Sequence, residues 1–395
     1  MKNNNTIQLL VKTIAITAMF LLAAFLLIPD TVLAEGGFAR GDGSPEQPFE
    51  IATPEQLATV AEEVYCSSHF KLIDHIDLSD YLSDGGGGWN EGAGWKPIGT
   101  YDMFDPTKAF TGSFDGDGYT ISSLFINRSD TEGVGLFGYT VGATIKDVTL
   151  SDADITGDAC VGSLVGVNEN CTISGCSAEN AEVTGFTTVG GLVGSNDSGN
   201  IANSLATAEV SGVFSVGGLV GDNYGGSIES SYATGTVSGI DYDDPESQGH
   251  FGGLAGRNYI YGTIENSYST GNVAGIHLVG GLVGSNTDAG VIENSYSTGD
   301  AAGTAYVGGL VGLNSLDEES YDNPFITDCY AAGSVEGEQY VGGLVGQNCE
   351  GDIVHSFSIG EVSGTNKVGG LVGENEDGTV TDSFYDSNTS GQSDE

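Results

Sequence analysis

"VGGLVGSN", residues 189–196, places three glycines and three aliphatic residues in six positions and closes with Ser and Asn. The phrase recurs as "VGGLVGDN" at 216–223 and as "VGGLVGSN" at 279–286. Exact and degenerate copies start at Val161, Val189, Val216, Phe251, Val279, Val307, Val341 and Val368, at intervals of 28, 27, 35, 28, 28, 34 and 27 residues. Self-similarity with a period of about 20–50 residues indicates a stacked array of repeats.

A second phrase alternates with the first, for example "SYATGTVSG" at 231–239 and "SYSTGNVAG" at 267–275. Val, Ile, Tyr, Thr and Gly dominate each unit, which is typical of short strands with tight corners. A unit of 27 or 28 residues suits one coil of a parallel β-helix with three strands per coil. The sequence therefore predicts an all-β fold, a right-handed parallel β-helix (solenoid) with about nine coils of 27–28 residues.

Stacking brings the same position of every coil into one column. Glycine in the phrase would permit a tight turn, a positive φ or the close approach of a neighbouring strand. The sequence alone does not show which of these three properties is required. It also leaves open which of the adjacent Leu192 and Val193 points inward. One column is largely aromatic, and we expect it to be a core stack, with a sugar-binding platform as the alternative: Leu205, Tyr232, Tyr268, Tyr296, Tyr330 and Phe357.

An asparagine ends every copy of the first phrase: Asn168, Asn196, Asn223, Asn258, Asn286, Asn314, Asn348 and Asn375. We expect a structural column that caps a corner in the left-handed conformation, with side-chain amides hydrogen-bonded between coils. Contact with a ligand is the alternative.

The two ends differ from the repeats. Residues 1–34 are predicted to be a secretory signal, because a polar start with two lysines precedes a short apolar run and a small final residue; a retained N-terminal anchor is the alternative. Residues 35–130 are predicted to form an N-terminal cap and the first coils, residues 131–388 the repeats and residues 389–395 a tail. The cap carries the one predicted helix, which begins after Thr53 as the N-cap.

The charge is extreme, with 55 acidic and 10 basic residues and a net charge of −45. Such a surface repels nucleic-acid phosphates and anionic lipid, so we expect neither as a partner. It suits a high-salt or divalent-rich exterior and a halophilic source. Secretion permits disulfides, and the six cysteines leave two readings open. In the first, disulfides join close pairs: Cys171 with Cys160 or Cys176, and Cys329 with Cys349. In the second, all six cysteines, including Cys66, are free thiols.

Clustered carboxylates make calcium the most plausible ligand, although no EF-hand spacing is present. The candidate ligands lie in "DGDG" at 115–118 and in two acidic insertions that lengthen the repeat: Asp115, Asp117, Asp241, Asp243, Asp244, Asp317, Glu318 and Glu319. A tight turn or a solvated surface is the alternative. The insertions, 240–250 and 315–325, are expected to be exposed loops, and Tyr242 and Tyr321 are candidate binding residues.

Catalytic signatures are absent from the sequence. HExxH is missing, and the five histidines are scattered without paired spacing. We therefore expect no enzyme and no cofactor apart from calcium, with a polysaccharide-acting β-helix enzyme as the alternative. A less favoured alternative is an ice- or crystal-binding face on the column Thr207, Thr234, Thr270 and Thr298, which breaks at Ala332 and Ile359.

"VGGLVGxN" in tandem resembles the GLUG repeat of bacterial and archaeal surface and adhesin-like proteins, also present in the non-catalytic part of immunoglobulin-A-cleaving metallopeptidases. The resemblance covers roughly residues 41–388. It implies a secreted or cell-surface, adhesin-like binding module without catalytic activity. The partner would be a surface ligand, namely a glycan, a protein or a neighbouring cell. We expect a monomer whose mature chain does not insert into membranes.

Overall fold

The coil contains five short strands rather than the three expected. The computed structural model describes residues 34–102, 105–240, 248–316 and 322–393. Within them, all strand pairing in the five sheets is parallel and joins one coil to the next, which confirms the parallel β-solenoid of about nine coils. The strands are short because a residue with positive φ interrupts the chain at several corners of each coil. The right-handedness of the coil stays a prediction.

Two sheets extend from the N-terminal cap through the whole array. Sheet 1 contains twelve strands: Phe49–Ile51, His69–Leu72, Ser113–Asp115, Thr144–Lys146, Thr172–Ser174, Asn200–Ala202, Ser227–Glu229, Thr263–Glu265, Val291–Glu293, Phe325–Thr327, Asp352–Val354 and Thr379–Thr381. Sheet 2 contains eleven: Ile76–Asp77, Thr120–Ser122, Thr149–Ser151, Ser177–Glu179, Leu205–Ala206, Tyr232–Ala233, Tyr268–Ser269, Tyr296–Ser297, Tyr330–Ala331, Phe357–Ser358 and Phe384–Tyr385.

Three sheets contain nine strands each. Sheet 3 comprises Phe125–Asn127, Asp154–Thr156, Glu182–Thr184, Glu209–Gly212, Val237–Gly239, Val273–Ala274, Ala301–Ala302, Val335–Glu336 and Val362–Ser363. Sheet 4 comprises Glu132–Val134, Ala159–Gly162, Thr187–Gly190, Val216–Gly217, Phe251–Gly252, His277–Gly280, Ala305–Gly308, Gln339–Gly342 and Asn366–Gly369. Sheet 5 comprises Phe137–Val141, Val165–Glu169, Val193–Asp197, Val220–Tyr224, Ala255–Tyr259, Val283–Thr287, Val311–Ser315, Val345–Cys349 and Val372–Glu376.

The glycines of the repeated phrase are required by close packing, not by a positive φ. A Cβ on Gly190 would lie 2.0 Å from the carbonyl oxygen of Val193, and one on Gly194 would lie 2.6 Å from that of Gly166 in the preceding coil. In most coils the residue before the phrase takes the left-handed conformation instead, as at Thr188 (φ 56°). The chain therefore folds tightly enough to bury both aliphatic neighbours whose direction the sequence left open, Leu192 and Val193.

The asparagine column lies inside the solenoid. From Asn168 to Asn348, each side-chain Nδ2 donates to Oδ1 of the asparagine in the next coil at 2.7–2.9 Å, and Asn375 is the last acceptor. Most also donate to a backbone carbonyl at the following corner, as Asn223 does to Gly226. These asparagines lie in strands, so the expected left-handed conformation is wrong for them. It occurs two positions later in most coils, for example at Asn170 and Ser198.

The aromatic column is on the outside of sheet 2, which corrects the expected core stack. The rings from Tyr232 to Phe384 stack with centroids 4.7–5.4 Å apart and nearly parallel planes. The tyrosines are half-buried, whereas the next residue, such as Ala233, points into the core. Because each ring covers the face of its neighbour, the column exposes ring edges and hydroxyls. A sugar platform, which needs free ring faces, is not supported by this geometry.

The N-terminal end of the solenoid is covered by the cap. The sequence at 53–64 predicts one helix. The observed α-helix, Pro54–Thr59, is shorter but begins as predicted, because the Thr53 side chain accepts a hydrogen bond from the Gln56 amide. Four 3₁₀ turns (Glu35–Gly37, Glu63–Tyr65, Asn90–Gly92 and Pro106–Lys108) and a second short helix, Ser387–Ser390, complete the described helices. All six cysteines are free thiols, which decides between the two readings of the cysteines. The predicted signal lies in residues 1–34, of which 1–33 fall outside the described residues.

Candidate functional site

Three neighbouring columns on sheets 4 and 5 change their side chain in almost every coil, whereas the phrase around them hardly changes. The first column precedes the phrase: Cys160, Thr188, Ser215, His250, Leu278, Tyr306, Tyr340 and Lys367. The second precedes the asparagine: Val167, Ser195, Asp222, Arg257, Ser285, Leu313, Gln347 and Glu374. The third follows the asparagine: Glu169, Asp197, Tyr224, Tyr259, Thr287, Ser315, Cys349 and Glu376. We call these three columns the variable face.

Contacts between the columns show that they form one recessed surface. In the middle of the rod, Oδ2 of Asp222 accepts a hydrogen bond from the hydroxyl of Thr188 at 3.3 Å. Arg257 follows Asp222 in the next coil, and its guanidinium lies 4.0 Å from the ring centre of Tyr259. Oδ1 of Asp222 and Nε of Arg257 are buried without a hydrogen-bond partner among the described residues. Burial raises the pKa of Asp222 despite the opposing charge of Arg257.

A histidine–serine contact lies beside this pair. Nδ1 of His250 is 2.7 Å from the hydroxyl of Ser285 in the next coil. Burial, and secondarily the charge of Arg257, lower the pKa of His250 to about 3, so the imidazole is neutral at physiological pH. Ser285 is only 1% exposed. The contact therefore stabilises adjacent coils. It also leaves no space beside the Ser285 hydroxyl for a substrate that this hydroxyl could attack.

The N-terminal end of the variable face borders a cavity of about 330 Å³. It is lined by Tyr101 from the cap and by Tyr139, Cys160, Val167, Glu169, Ser195 and Asp197. The two tyrosine rings are perpendicular with centroids 5.3 Å apart, and the hydroxyl of Tyr139 donates to Glu169 at 2.5 Å. Burial, and then the charge of Glu169, raise the pKa of Asp197, which adjoins Glu169 in the register of sheet 5.

The C-terminal end of the variable face carries a second aromatic contact. The rings of Tyr306 and Tyr340 stack at 4.6 Å, and Nζ of Lys367 lies 4.6 Å above Tyr340. Lys367 also forms an ion pair with Glu374. This end therefore presents a cation whose charge is already balanced.

The predicted calcium ligands are only partly within the described residues. Asp115 accepts from Lys146 at 2.8 Å, and Asp117 accepts from Lys71 at 3.0 Å, so lysines already balance these carboxylates. The part of the chain that the structure describes contains no group of three or more His, Cys, Asp or Glu placed to hold a metal ion. The remaining candidates lie outside the described residues: Asp241, Asp243, Asp244, Asp317, Glu318 and Glu319, together with the binding candidates Tyr242 and Tyr321. The calcium assignment stays a prediction.

Sequence reasoning missed the variable face, although the signal was present. Aligning the eight phrases with one another shows one highly variable position inside a nearly constant phrase, occupied by Ser in one copy, Asp in the next and Arg in the third. Only the register of sheets 4 and 5 places the residues before and after the phrase beside that position.

A sequence model described as the GLUG motif matches residues 157–184, 212–238, 247–274 and 275–302. The chain contains repeats of the GLUG motif. The structure extends the same coil to the phrases at 189, 307, 341 and 368, outside the four matched stretches, because their strands join the same five sheets. GLUG repeats were thus recognised correctly from the recurring phrase.

Two curated relatives share part of this chain. Halomucin of Haloquadratum walsbyi is 38% identical over 130 residues, which are 32% of this chain and 1% of that protein. A protein of Evansella cellulosilytica named as a Gly-rich membrane protein is 39% identical over 136 residues, 33% of this chain and 14% of that protein. The chain thus spans a small fraction of either relative.

Two solved structures match most of this chain with TM-scores below 0.5. One is described as an immunoglobulin A1 protease from Bacteroides ovatus, with a TM-score of 0.43, 18% identity and coverage of 88% of this chain and 87% of that chain. The other is an IgA1 protease, with a TM-score of 0.41, 15% identity and coverage of 85% of this chain and 21% of that chain. In the described residues no helix has the length and apolar character needed to cross a membrane.

Proposed function

We propose that the protein is a secreted or cell-surface, adhesin-like module that binds a surface ligand through the variable face and catalyses no reaction. The observation that carries the proposal is the contrast between constant and variable columns on one rod. Repeat proteins use an invariant stacked scaffold to present an extended surface on which side chains can differ from repeat to repeat.

The chemistry of the variable face also favours recognition. It combines carboxylates, a guanidinium, hydroxyls and several tyrosines within adjoining coils, and Tyr224 is 40% exposed there. Tyrosine and arginine are enriched at the centres of binding surfaces. By contrast, the aromatic column on sheet 2 is nearly uniform and covers its own ring faces, as expected of a stabilising ladder. The names of the relatives, Halomucin and a Gly-rich membrane protein, are compatible with a location at the cell surface.

The test is binding of the purified chain to arrayed glycans, to surface proteins and to intact cells. We expect Tyr224→Ala and Lys367→Ala to weaken binding at least about fivefold, with unchanged unfolding midpoints. Tyr261→Ala is the matched control, because Tyr261 is 61% exposed and lies outside the variable face. Equal binding by all three variants would contradict the proposal, and release of reducing sugar from an arrayed polysaccharide would favour the enzyme alternative.

A further inference from the structure

We propose that the cavity at the N-terminal end of the variable face binds an organic ammonium group, quaternary or methylated. The inference rests on the proposed function and names the ligand chemistry at one end of the variable face. The volume of the cavity, about 330 Å³, falls at the lower end of the range typical of small-molecule sites.

The walls of the cavity provide aromatic surface. Tyr101 comes from the cap and Tyr139 from the first strand of sheet 5, and their rings meet edge to face. The negative face of an aromatic ring attracts a cation. Tyr139 is only 4% exposed, so the half-buried Tyr101 provides most of the accessible aromatic surface. Neither solenoid nor cap alone would form this pair, because each contributes one ring.

Among the residues that the structure describes, no basic side chain forms an ion pair with the carboxylates of the cavity. Glu169 and Asp197 occupy adjacent positions on neighbouring coils, where like charges repel each other. None of the lining residues is Lys, Arg or His. Lys108, a nearby basic residue of the cap, is already paired with Asp102 at 3.0 Å. A cationic ligand would relieve this repulsion, and the net charge of −45 attracts cations to the whole molecule.

The other lining residues of the cavity favour an alkylated cation over a metal ion. Val167 is apolar, and the recessed thiol of Cys160, whose pKa burial raises to about 12, stays protonated. A calcium ion takes six to eight oxygen ligands, whereas the cavity offers two carboxylates, Glu169 and Asp197, and the described residues contain no group of three or more His, Cys, Asp or Glu placed to hold a metal ion. Methyl groups on nitrogen, in contrast, gain from contact with apolar surface while the charge remains near the carboxylates.

The experiment is a calorimetric titration of the full chain with choline, with its neutral isostere 3,3-dimethylbutan-1-ol and with calcium chloride. We expect choline to bind at least about tenfold more tightly than the isostere, because only choline carries the charge. Calcium should not compete. Tyr101→Leu and Asp197→Asn should each weaken choline binding about tenfold. Tyr261→Leu and Asp154→Asn are the matched controls, both outside the cavity and expected to bind choline as the unmodified chain does.

Three results would overturn the inference: no choline binding by the unmodified chain, equal affinity for the neutral isostere, or full affinity in both cavity variants. Unfolding midpoints of the variants show whether a loss of affinity reflects a loss of structure. If choline fails to bind while Tyr224→Ala still abolishes attachment to cells or glycans, the ammonium site is wrong and the proposed function stands. If choline binds but variants of the variable face attach to cells and glycans as the unmodified chain does, the proposed function is wrong.

Discussion

At the scale of the residue, the asparagine ladder shows how one side chain acts in three coils. Asn223 is buried, accepts from Asn196, and donates to Asn258 and to the carbonyl of Gly226. A buried amide that loses its hydrogen-bond partner still has the full free-energy penalty of desolvation. The ladder therefore fixes the register of the coils more strictly than the aliphatic columns can, because apolar contacts are not directional.

We expect Asn223→Ala to reduce the free energy of unfolding by about 2–4 kcal/mol, because it leaves a donor on Asn196 and an acceptor on Asn258 unpaired. Asn375→Ala is the matched control. It is the last rung and exposed, so its loss should cost about 1 kcal/mol or less. Urea unfolding of both variants measures the difference, and equal costs would show that the ladder contributes little.

His250 is the residue whose ionisation should couple folding to pH. Its folded pKa is lowered from 6.5 to about 3, so between these values the unfolded chain binds a proton that the folded chain does not. Stability contributed by the neutral imidazole is therefore present above pH 6.5 and is lost as the pH falls towards 3. Asp222, whose pKa is raised from 3.8, opposes this trend between that ordinary value and its raised pKa.

We expect unmodified protein to lose up to about 1.4 kcal/mol per pH unit from His250 between pH 6 and 5. His250→Gln should reduce this slope, even though it also alters the contact with Ser285. Urea unfolding at pH 7, 6 and 5 gives the slope directly. The same slope in the variant would mean that the imidazole is not neutral in the fold.

At the scale of the element, the coil tolerates added residues because the strands on both sides of an insertion keep their pairing. Before the first insertion, the amide of Ile240 donates to Gly212 at 2.7 Å; after it, the carbonyl of His250 accepts from Val216 at 2.8 Å. Phe251 then pairs in register with the first valine of the neighbouring phrases.

Deleting residues 241–247 restores the usual repeat length, since the interval there is 35 residues instead of 28. We expect the melting temperature to change by no more than about 3 °C, because none of the flanking ladder bonds is lost. Ligand or calcium binding should weaken if the insertion takes part in recognition. Circular dichroism and thermal melting check the first result, and a collapse of the fold would show that the segment is structural.

At the scale of the whole molecule, stacking brings like charges together. Glu229, Glu265 and Glu293 face one another in consecutive coils of sheet 1, as Asp154, Glu182 and Glu209 do in sheet 3. Each pair of like charges opposed across strands destabilises the sheet. The repulsion adds to that of an acidic excess spread over the whole chain, with 55 acidic against 10 basic residues.

We expect the melting temperature to fall by several degrees between about 1 M salt and about 10 mM salt with chelator, because the screening length grows from about 3 to about 30 Å. Glu265→Gln should reduce the fall, since it removes the middle charge of a column of three. Differential scanning calorimetry at both ionic strengths tests this, and an unchanged melting temperature would show that ions do not stabilise the rod.

The sequence alone determined the repeat, the parallel solenoid and the number of coils, because a strict period forces equivalent residues into columns. It also identified the asparagines as a structural column. The tertiary structure decided which columns face outward, because the direction of a side chain depends on where the left-handed residues divide each coil into five strands. That is why Tyr232 to Phe384 lie outside and both Leu192 and Val193 lie inside. The variable face and the Tyr101–Tyr139 cavity likewise exist only where separate sheets and the cap meet.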